Sequence, residues 1–411
     1  MQENKPTVNL EENKTFCLFP WTHIHVTPRG RVFPCCNTGY SDYIGDYKNE
    51  TLIELMNSEE MKKLRLNMLN NVPSKICNSC YEQEKISGHS GRTYSLDLFK
   101  KDLDSYVEKT QSDGTLTDFQ MKYFDIRFSN ICNMKCRTCS PEFSSQWSQE
   151  YHNENKSWPI MFHANDNQPM LLNQVLEHID HIDTFYFAGG EPLITEEHYI
   201  LLEKLIQKNL TNVRLFYNSN LSTLKYKDKD ILSLWSNFNN ITMVASIDHV
   251  KERAEYIRNG TDWATVETNL IKISRLPNIH FAINTVLSIF NYTTLDEFYT
   301  HLINIGVYTS RSQRWNLFNA FNPPYYMAQI LPRNIKNSAK PKLEKLIEFK
   351  KRIQRHETCI KMVTDAINFV ESADLWEKQK ENFLANVVNR DKIRGEDFLK
   401  TFPELAEMMN S

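Results

Sequence analysis

The sequence predicts an α/β fold in which a parallel sheet is covered by helices. Between residues 121 and 320, six short apolar runs have the length and composition of buried strands: MKYFDIRF, IDTFYFAGG, VRLFYNSN, ITMVASID, NIHFAINTV and SQRWNLFNA. Stretches of helical periodicity lie between these runs. The alternation of strand and helix is typical of a parallel sheet or barrel whose chemistry lies at the carboxyl ends of the strands.

Two of the helical stretches have recognisable ends. Residues 195–209 follow Thr195 as a predicted N-cap and present one apolar face, formed by Leu202, Leu205 and Ile206. The segment TLDEFYTHLINIG opens with the predicted capping box Thr294-x-x-Glu297 and closes at Gly306. We expect a helix over each segment.

Three domains are predicted along the chain. Residues 1–110 form a small cysteine-rich α+β domain, and a polar link at 101–120 leads to the strand–helix domain at 120–320. Residues 321–411 form a helical carboxyl-terminal region, in which residues 341–384 carry an apolar stripe made of Leu343, Leu346, Ile347 and Ile353. The tail RGEDFLKTFPELAEMMN is predicted to form a further helix.

The charge balance and the cysteines restrict the class of protein. The 48 basic and 51 acidic residues give a net charge of −3, so there is no electrostatic basis for a nucleic-acid or membrane partner. The amino-terminal residues are unlike an export signal and the apolar runs are too short to span a bilayer, so we expect a cytoplasmic protein with reduced thiols. Eight of the nine cysteines lie between Cys17 and Cys139, which favours metal ligands, whereas Cys359 is interpreted as a small hydrophobic residue.

The segment ICNMKCRTCSP follows directly after the first strand of the repeat. Its cysteines, Cys132, Cys136 and Cys139, are spaced C-x3-C-x2-C. Three thiolates can hold three irons of a [4Fe-4S] cluster and leave one iron open for a small chelating ligand. The alternative is a zinc site completed by a distant ligand.

This segment and the turn FAGGEPLI together resemble the radical S-adenosylmethionine (SAM) superfamily. The turn carries the family's GGEP motif as Gly189, Gly190, Glu191 and Pro192. The resemblance implies a partial (β/α)6 barrel, a cluster whose open iron is chelated by the amino and carboxylate groups of SAM, and a GGEP turn that contacts the methionine amino group.

Other residues also match the radical SAM superfamily, but in motifs that are less specific. Ser219 and Asn220 match a family turn that often reads TNG, with Leu221 in place of the glycine. Ser246 and Arg258 would contact the SAM carboxylate or ribose; the alternatives are ordinary strand-end polar residues and a surface arginine. The residue before the third cysteine, usually aromatic in the family, is Thr138, which puts adenine stacking at this position in doubt.

The amino-terminal cysteines resemble the auxiliary-cluster modules called SPASM and twitch domains. Their order is Cys17, a hairpin turning at Arg29-Gly30, the pair Cys35-Cys36, a helix, and Cys77-x2-Cys80. The resemblance implies an auxiliary [4Fe-4S] cluster held by Cys17, Cys35, Cys77 and Cys80, with Cys36 as the spare thiol or the reverse. A zinc ribbon, in which His23 or His25 could substitute for a cysteine, is the alternative.

The resemblance implies an enzyme that reductively cleaves SAM and abstracts hydrogen from a substrate carbon, using a reductant such as flavodoxin or ferredoxin. We expect a peptide or protein side chain as substrate, with a small sugar or alcohol as the alternative. A non-catalytic metal-binding protein and a SAM-dependent enzyme without radical chemistry also stay open. No catalytic acid, base or hydrogen donor is identified in the sequence.

Overall fold

The computed structural model describes residues 8–87, 89–164, 171–308, 314–320, 323–353 and 357–409. The chain forms two compact units, the first made of Met1–Ile131 and Met161–Phe216 and the second of Cys132–Ile160 and Tyr217–Ser411. The three predicted domains and the closure of the sheet into a partial barrel stay predictions.

The described strands are short. They are β1 (His23–Val26), β2 (Arg31–Phe33), β3 (Gly45–Asp46), β4 (Tyr123–Ile126), β5 (Lys135–Cys136), β6 (Thr184–Phe187), β7 (Arg214–Ser219), β8 (Lys225–Tyr226), β9 (Lys229–Asp230), β10 (Ile241–Ser246), β11 (Arg258–Asn259), β12 (Ile279–Leu287) and β13 (Arg314–Asn319). All six predicted strands are confirmed, as β4, β6, β7, β10, β12 and β13.

The described helices lie between and after these strands. They are α1 (Phe19–Thr22), α2 (Leu52–Met56), α3 (Glu59–Leu69), α4 (Asn78–Ser87), α5 (Gly91–Phe99), α6 (Leu103–Glu108), α7 (Ser145–Glu154), α8 (Leu171–Glu177), α9 (Glu196–Gln207), α10 (Ile231–Trp235), α11 (Lys251–Ile257), α12 (Trp263–Ser274), α13 (Leu295–Asn304), α14 (Arg333–Ile353), α15 (Glu357–Glu371), α16 (Trp376–Arg394) and α17 (Phe398–Thr401). No helix among the described residues combines the length and apolar character that crossing a bilayer requires.

In the first unit the strands are ordered β6-β4-β1-β2-β3. β6, β4 and β1 are parallel, whereas β2 and β3 continue antiparallel from β1. The predicted hairpin at Gly30 is confirmed as β1 and β2, with Gly30 at a φ of 86°. The sequence did not predict that β1 would pair in parallel with β4, which places a strand of the cysteine-rich segment in the main sheet.

The alternation of side chains gives this part of the sheet one polar and one apolar face. His25 is opposite Asp125 in the β1–β4 register, and both point to the same face. The intervening residues point to the other face, where the rings of Phe124, Phe185 and Phe187 stack at centroid distances of 5.1 and 5.4 Å. One face of this part of the sheet is therefore apolar, and the other carries buried polar side chains.

In the second unit the strand order is β13-β12-β10, and these three strands are parallel. The chain passes from the first unit to the second within β7. Two small antiparallel pairs, β5 with β11 and β8 with β9, lie outside this sheet. The carboxyl-terminal residues form three separate helices, α14, α15 and α16, and the tail forms the short α17 followed by a 3₁₀ segment, Pro403–Met409. The side chain of Cys359 lies outside the described residues.

Three local predictions need correction. The predicted link at 101–120 contains the helix α6. Thr195 occupies the N-cap position of α9, but its hydroxyl donates to the Glu191 carbonyl and does not cap the helix. The capping box at Thr294 is not formed, because its hydroxyl bonds to His249 and Arg253. In both cases a partner outside the helix competes successfully for a side chain that could have capped it.

Candidate functional site

The three-cysteine loop runs from β4 through β5 to α7, and side chains of α7 hold its backbone. The Ser145 hydroxyl accepts from the Cys132 amide (3.2 Å) and donates to the Cys132 carbonyl (3.1 Å). The Trp147 indole donates to the Cys136 carbonyl at 2.7 Å, and the Cys139 amide donates to the same carbonyl at 3.0 Å. The first turn of α7 therefore fixes the backbone from which the thiols project.

Cys136 is buried, and Cys132 and Cys139 are half-buried. Burial, with the Cys136 thiol beside it, raises the pKa of Cys139 to about 12. Burial also raises the pKa of Cys136, although the Arg258 guanidinium opposes this change. Such thiols are neutral at pH 7 unless a cation displaces their protons, as iron does when thiolates ligate it.

Arg258 lies against this loop. β11 pairs with β5 so that Arg258 is opposite Cys136, and its Nη1 is 3.7 Å from the Cys136 sulfur. Its Nε is 2.8 Å from the fully buried carboxylate of Asp248. Arg258 is thus not the surface arginine of the alternative interpretation, and its predicted contact with SAM stays a prediction.

The turn after β7 is attached to the cysteine loop through Asn133. The Asn220 side chain donates to the Asn133 side chain at 3.0 Å, and Asn133 donates to the Ser222 hydroxyl at 2.9 Å. The Ser219 hydroxyl accepts from the amide of Leu221, which has a φ of 54°. Leu221 therefore adopts the left-handed conformation that a glycine would favour at this position. Ser246 is half-buried at the end of β10.

The GGEP turn packs against the chain that leads into the same loop. A Cβ on Gly190, whose φ is 56°, would lie 2.3 Å from the Ile131 carbonyl oxygen. The Glu191 amide donates to that oxygen at 2.8 Å, and Ile131 directly precedes Cys132 in the sequence. Gly189 has a φ of 77° and lies under the Arg127 side chain, and the buried Pro192 begins a 3₁₀ turn. Glycine is required at both positions, because neighbouring atoms leave no room for a Cβ and because the backbone has a positive φ.

In the first unit, four of the amino-terminal cysteines line one cavity: Cys17, Cys35, Cys77 and Cys80. Burial, together with neighbouring thiols of the group, raises the pKa of Cys17, Cys35 and Cys77 to about 12. Asn37 approaches the Cys80 sulfur at 3.8 Å. A set of four soft sulfur donors around one cavity fits a fully ligated [4Fe-4S] cluster.

The structure distinguishes the two adjacent cysteines that the sequence left open. Cys35 lines the cavity, whereas Cys36 is solvent-accessible and interacts with Asp125 and Arg127 on the polar face of the sheet. His23 and His25 do not line the cavity, because their rings bond to β4 at the Tyr123 carbonyl and at Asp125. Substitution of a histidine for a cysteine ligand is therefore not supported.

Two groups of charged residues around these sites were missed in the sequence. Arg92 lines the amino-terminal cavity, forms an ion pair with Glu84 and donates to the Phe16 carbonyl at 3.2 Å. Arg137, in the cysteine loop itself, is bound by acidic residues near the end of the chain. The signal available in the sequence was an arginine between two of the three cysteines, but nothing local identifies the partners of that arginine.

Across the described ranges, no three His, Cys, Asp or Glu side chains converge on a point where they could ligate one metal ion. A four-iron cluster has a different requirement, because each iron takes its own thiolate.

The comparisons with known proteins agree with the cysteine patterns. The SPASM family, described as an iron–sulfur cluster-binding domain, matches residues 17–81. A curated relative, the radical SAM cyclopropyl synthase TigE of Paramaledivibacter caminithermalis, is 24% identical over 239 residues, which are 55% of this chain and 48% of TigE. The chain thus spans about half the length of the curated relative that it matches.

Solved structures with some similarity include anSMEcpe with bound AdoMet and Cp18Cys peptide. That match is 19% identical, covers 54% of this chain and 57% of the other, and has a TM-score of 0.36. Streptococcus suis SuiB is 13% identical, with 80% of this chain and 68% of SuiB covered and a TM-score of 0.35.

Proposed function

We propose that this chain, a radical SAM protein with an amino-terminal SPASM domain, cleaves SAM reductively at a cluster held by Cys132, Cys136 and Cys139 and modifies a peptide or protein side chain. Radical SAM proteins with a SPASM domain bind SAM and [4Fe-4S] clusters, including auxiliary clusters. When bound, the SAM-site cluster supplies the electron that splits SAM into methionine and a 5′-deoxyadenosyl radical.

One observation carries the proposal. The GGEP turn is hydrogen-bonded, through the Glu191 amide, to the carbonyl of the residue before Cys132. The GGEP turn is thereby bonded to the residue that directly precedes the three-cysteine motif, although the two motifs are distant in the sequence. Gly189 and Gly190 permit this close approach, because a Cβ on Gly189 would meet the Arg127 side chain and a Cβ on Gly190 would meet the Ile131 carbonyl.

The polar residues around the loop have supporting roles in this proposal. Gly189, Gly190, Glu191 and Pro192 would bind the methionine part of SAM, and Ser219, Asn220 and Ser246 would bind its polar groups. Arg258 would compensate the negative charge of the ligating thiolates, since its guanidinium already lies on the Cys136 sulfur.

The auxiliary cluster would be held by Cys17, Cys35, Cys77 and Cys80. Four cysteines complete its ligation, which suits transfer of an electron to or from the substrate rather than direct binding of substrate. Arg92 at the cavity wall would offset part of the charge of the four thiolates. An external one-electron donor such as flavodoxin or ferredoxin would reduce the enzyme.

The choice of a peptide substrate rests on the polar face of the first unit. Cys36 is exposed there and Arg127 is half-buried, so both could donate to peptide carbonyl groups, while the buried His25–Asp125 pair holds Arg127 in place. Among the similar structures, anSMEcpe is described with a Cp18Cys peptide and SuiB with the precursor peptide SuiA.

The test is 5′-deoxyadenosine production by anaerobically reconstituted protein with a strong reductant and SAM. We expect wild type and Cys36→Ala to form 5′-deoxyadenosine, and Cys132→Ala, Cys136→Ala and Cys139→Ala to form none. Cys36→Ala is the matched control because this thiol belongs to neither proposed ligand set. If wild type carries a full complement of iron and forms no 5′-deoxyadenosine, the proposal is wrong.

A further inference from the structure

Arg137 is a buried charge in the middle of the three-cysteine loop, between Cys136 and Thr138. Its side chain is 1% exposed, and its Nη2 is 2.6 Å from Asp391 and 2.5 Å from Glu396. Both acids lie at the carboxyl-terminal end of α16 or just beyond it. The ion pairs therefore connect the cysteine loop to residues more than 250 positions later in the chain.

The remaining contacts of Arg137 hold its guanidinium in one orientation. Its Cζ is 3.8 Å from the centre of the Tyr256 ring, and its Nε donates to the Tyr256 carbonyl at 3.3 Å. The Tyr256 hydroxyl in turn donates to Asp391 at 2.8 Å. A planar guanidinium that is stacked and paired in this way cannot be replaced by a lysine without loss of contacts.

A second set of contacts holds the other side of the loop. Arg394 donates to the Lys135 carbonyl at 3.0 Å and pairs with Glu150 at 2.9 Å. Glu150 is 4% exposed and also pairs with Lys135. Lys135 directly precedes Cys136, so the end of α16 binds the backbone on one side of this cysteine and the Arg137 side chain on the other.

Buried charges are costly to leave unpaired, so a network of this kind favours one position of the segments that carry it. Here the segments are the cysteine loop and the end of α16. The network contains only protein groups, so its contacts do not require a metal ion.

We propose that these residues, which we call the α16 clamp (Arg137, Glu150, Asp391, Arg394 and Glu396), hold the three-cysteine loop in its cluster-binding conformation in the metal-free protein. The carboxyl-terminal helix is then part of the cluster site, and Arg137 is a positioning residue. The identity of the ligand rests on the proposed function, whereas the preorganisation of the loop does not.

The first experiment measures the rate at which iodoacetamide alkylates Cys132, Cys136 and Cys139 in the reduced, metal-free full-length protein, by mass spectrometry. We expect at least a tenfold faster reaction in Arg137→Met and an intermediate rate in Arg137→Lys. Glu404→Gln is the matched control, because the Arg253–Glu404 pair also holds the carboxyl-terminal tail but involves no residue of the cysteine loop. Cys36 is the internal reference for reagent and folding.

Equal alkylation rates in wild type and folded Arg137→Met overturn the clamp. Should Arg137→Met fail to fold, Asp391→Asn decides the question in the same way, since it preserves side-chain volume and removes one charge.

The second experiment separates this inference from the proposed function. In a background with the four amino-terminal ligand cysteines changed to alanine, we measure bound iron and the change of the reduced-cluster EPR spectrum on addition of SAM. We expect Glu404→Gln to behave as wild type and Arg137→Met to lose most iron or the SAM-induced change. If wild type binds no iron while Arg137→Met still accelerates alkylation, the proposed function fails and the clamp stands.

Discussion

Arg258 and Cys136 face each other across the small antiparallel pair formed by β11 and β5, with the guanidinium 3.7 Å from the sulfur. The same guanidinium is held at 2.8 Å by Asp248, which is fully buried. A fixed positive charge on a ligating sulfur stabilises the more negative, reduced form of a cluster.

If Cys132, Cys136 and Cys139 hold a cluster as we propose, replacement of Arg258 by methionine is expected to lower the reduction potential of that cluster. A change of roughly 60 mV corresponds to one order of magnitude for a one-electron couple, and we expect a shift of about this size. An EPR-monitored redox titration in the background without auxiliary ligands measures it. Arg258→Lys keeps the charge and should shift the potential less; equal potentials in wild type and Arg258→Met would contradict the assignment.

The adjacent cysteines Cys35 and Cys36 should differ completely in their effect on iron. Because Cys35 lines the four-cysteine cavity and Cys36 does not, Cys35→Ala should reduce bound iron from about eight to about four per chain, if both clusters are four-iron clusters. Cys36→Ala should leave the iron content unchanged. Equal losses in the two variants would show that the pair is interchangeable.

Gly190 and Gly306 both have a left-handed backbone conformation, so substitution at the two positions tests how closely the GGEP turn is packed. Gly190→Ala and Gly306→Ala both introduce a side chain at positive φ, which costs about 1–2 kcal/mol. At Gly306 nothing lies within 4 Å of the new Cβ, whereas at Gly190 the Ile131 oxygen is 2.3 Å away. Overpacking should cost Gly190→Ala about 2 kcal/mol more. Chemical denaturation measures both free energies of unfolding, and similar values would disprove the close contact.

Leu221 has a left-handed backbone conformation, with a φ of 54°. Two effects of opposite sign therefore determine how Leu221→Gly changes the free energy of unfolding. Relief of the backbone strain contributes about 1–2 kcal/mol, but removal of a fully buried leucine side chain costs about 2–5 kcal/mol. We expect Leu221→Gly to be less stable by about 2 kcal/mol. Lys227, with a φ of 54° and an exposed side chain, is the control: Lys227→Gly should stabilise the protein by about 1 kcal/mol. Stabilisation by Leu221→Gly would show that burial does not dominate.

His249 makes the stability of the second unit depend on pH. Burial, with the nearby Arg253 guanidinium, lowers the pKa of His249 to about 3. Its Nδ1 accepts from the Val250 amide and its Nε2 donates to Thr294, so the neutral ring is the one that fits. Below pH 6.5 the unfolded chain binds a proton that the folded chain does not. Stability should therefore fall with decreasing pH from about 6.5 towards 3, by about 1.4 kcal/mol per pH unit.

Urea unfolding of wild type and His249→Gln at pH 7 and pH 5 measures this dependence. Between the two pH values, the free energy of unfolding should decrease less in the variant than in wild type. The difference should reach at most the amount expected for one proton bound on unfolding. Identical pH dependence in both proteins would show that His249 does not titrate on unfolding.

The cysteine spacing, the GGEP turn and the six strands were readable from the sequence because each is a local property. Close spacing along the chain groups Cys132, Cys136 and Cys139, and the strands are recognised by their composition. Local rules failed where a distant group competed for the same atoms: Thr294 bonds to His249 and Arg253 instead of capping α13.

Only the tertiary structure decided between Cys35 and Cys36, since adjacent residues have the same neighbours in sequence but face different surroundings once β1 and β2 are placed in the sheet. The ion pair between Arg137 and Asp391, which lies 254 residues later, is likewise visible only in the tertiary structure. Ion pairs and strand pairings between distant segments depend on where the chain returns, and no local pattern encodes this. The sequence by itself therefore determined which groups could do the chemistry, and the fold decided how they are positioned.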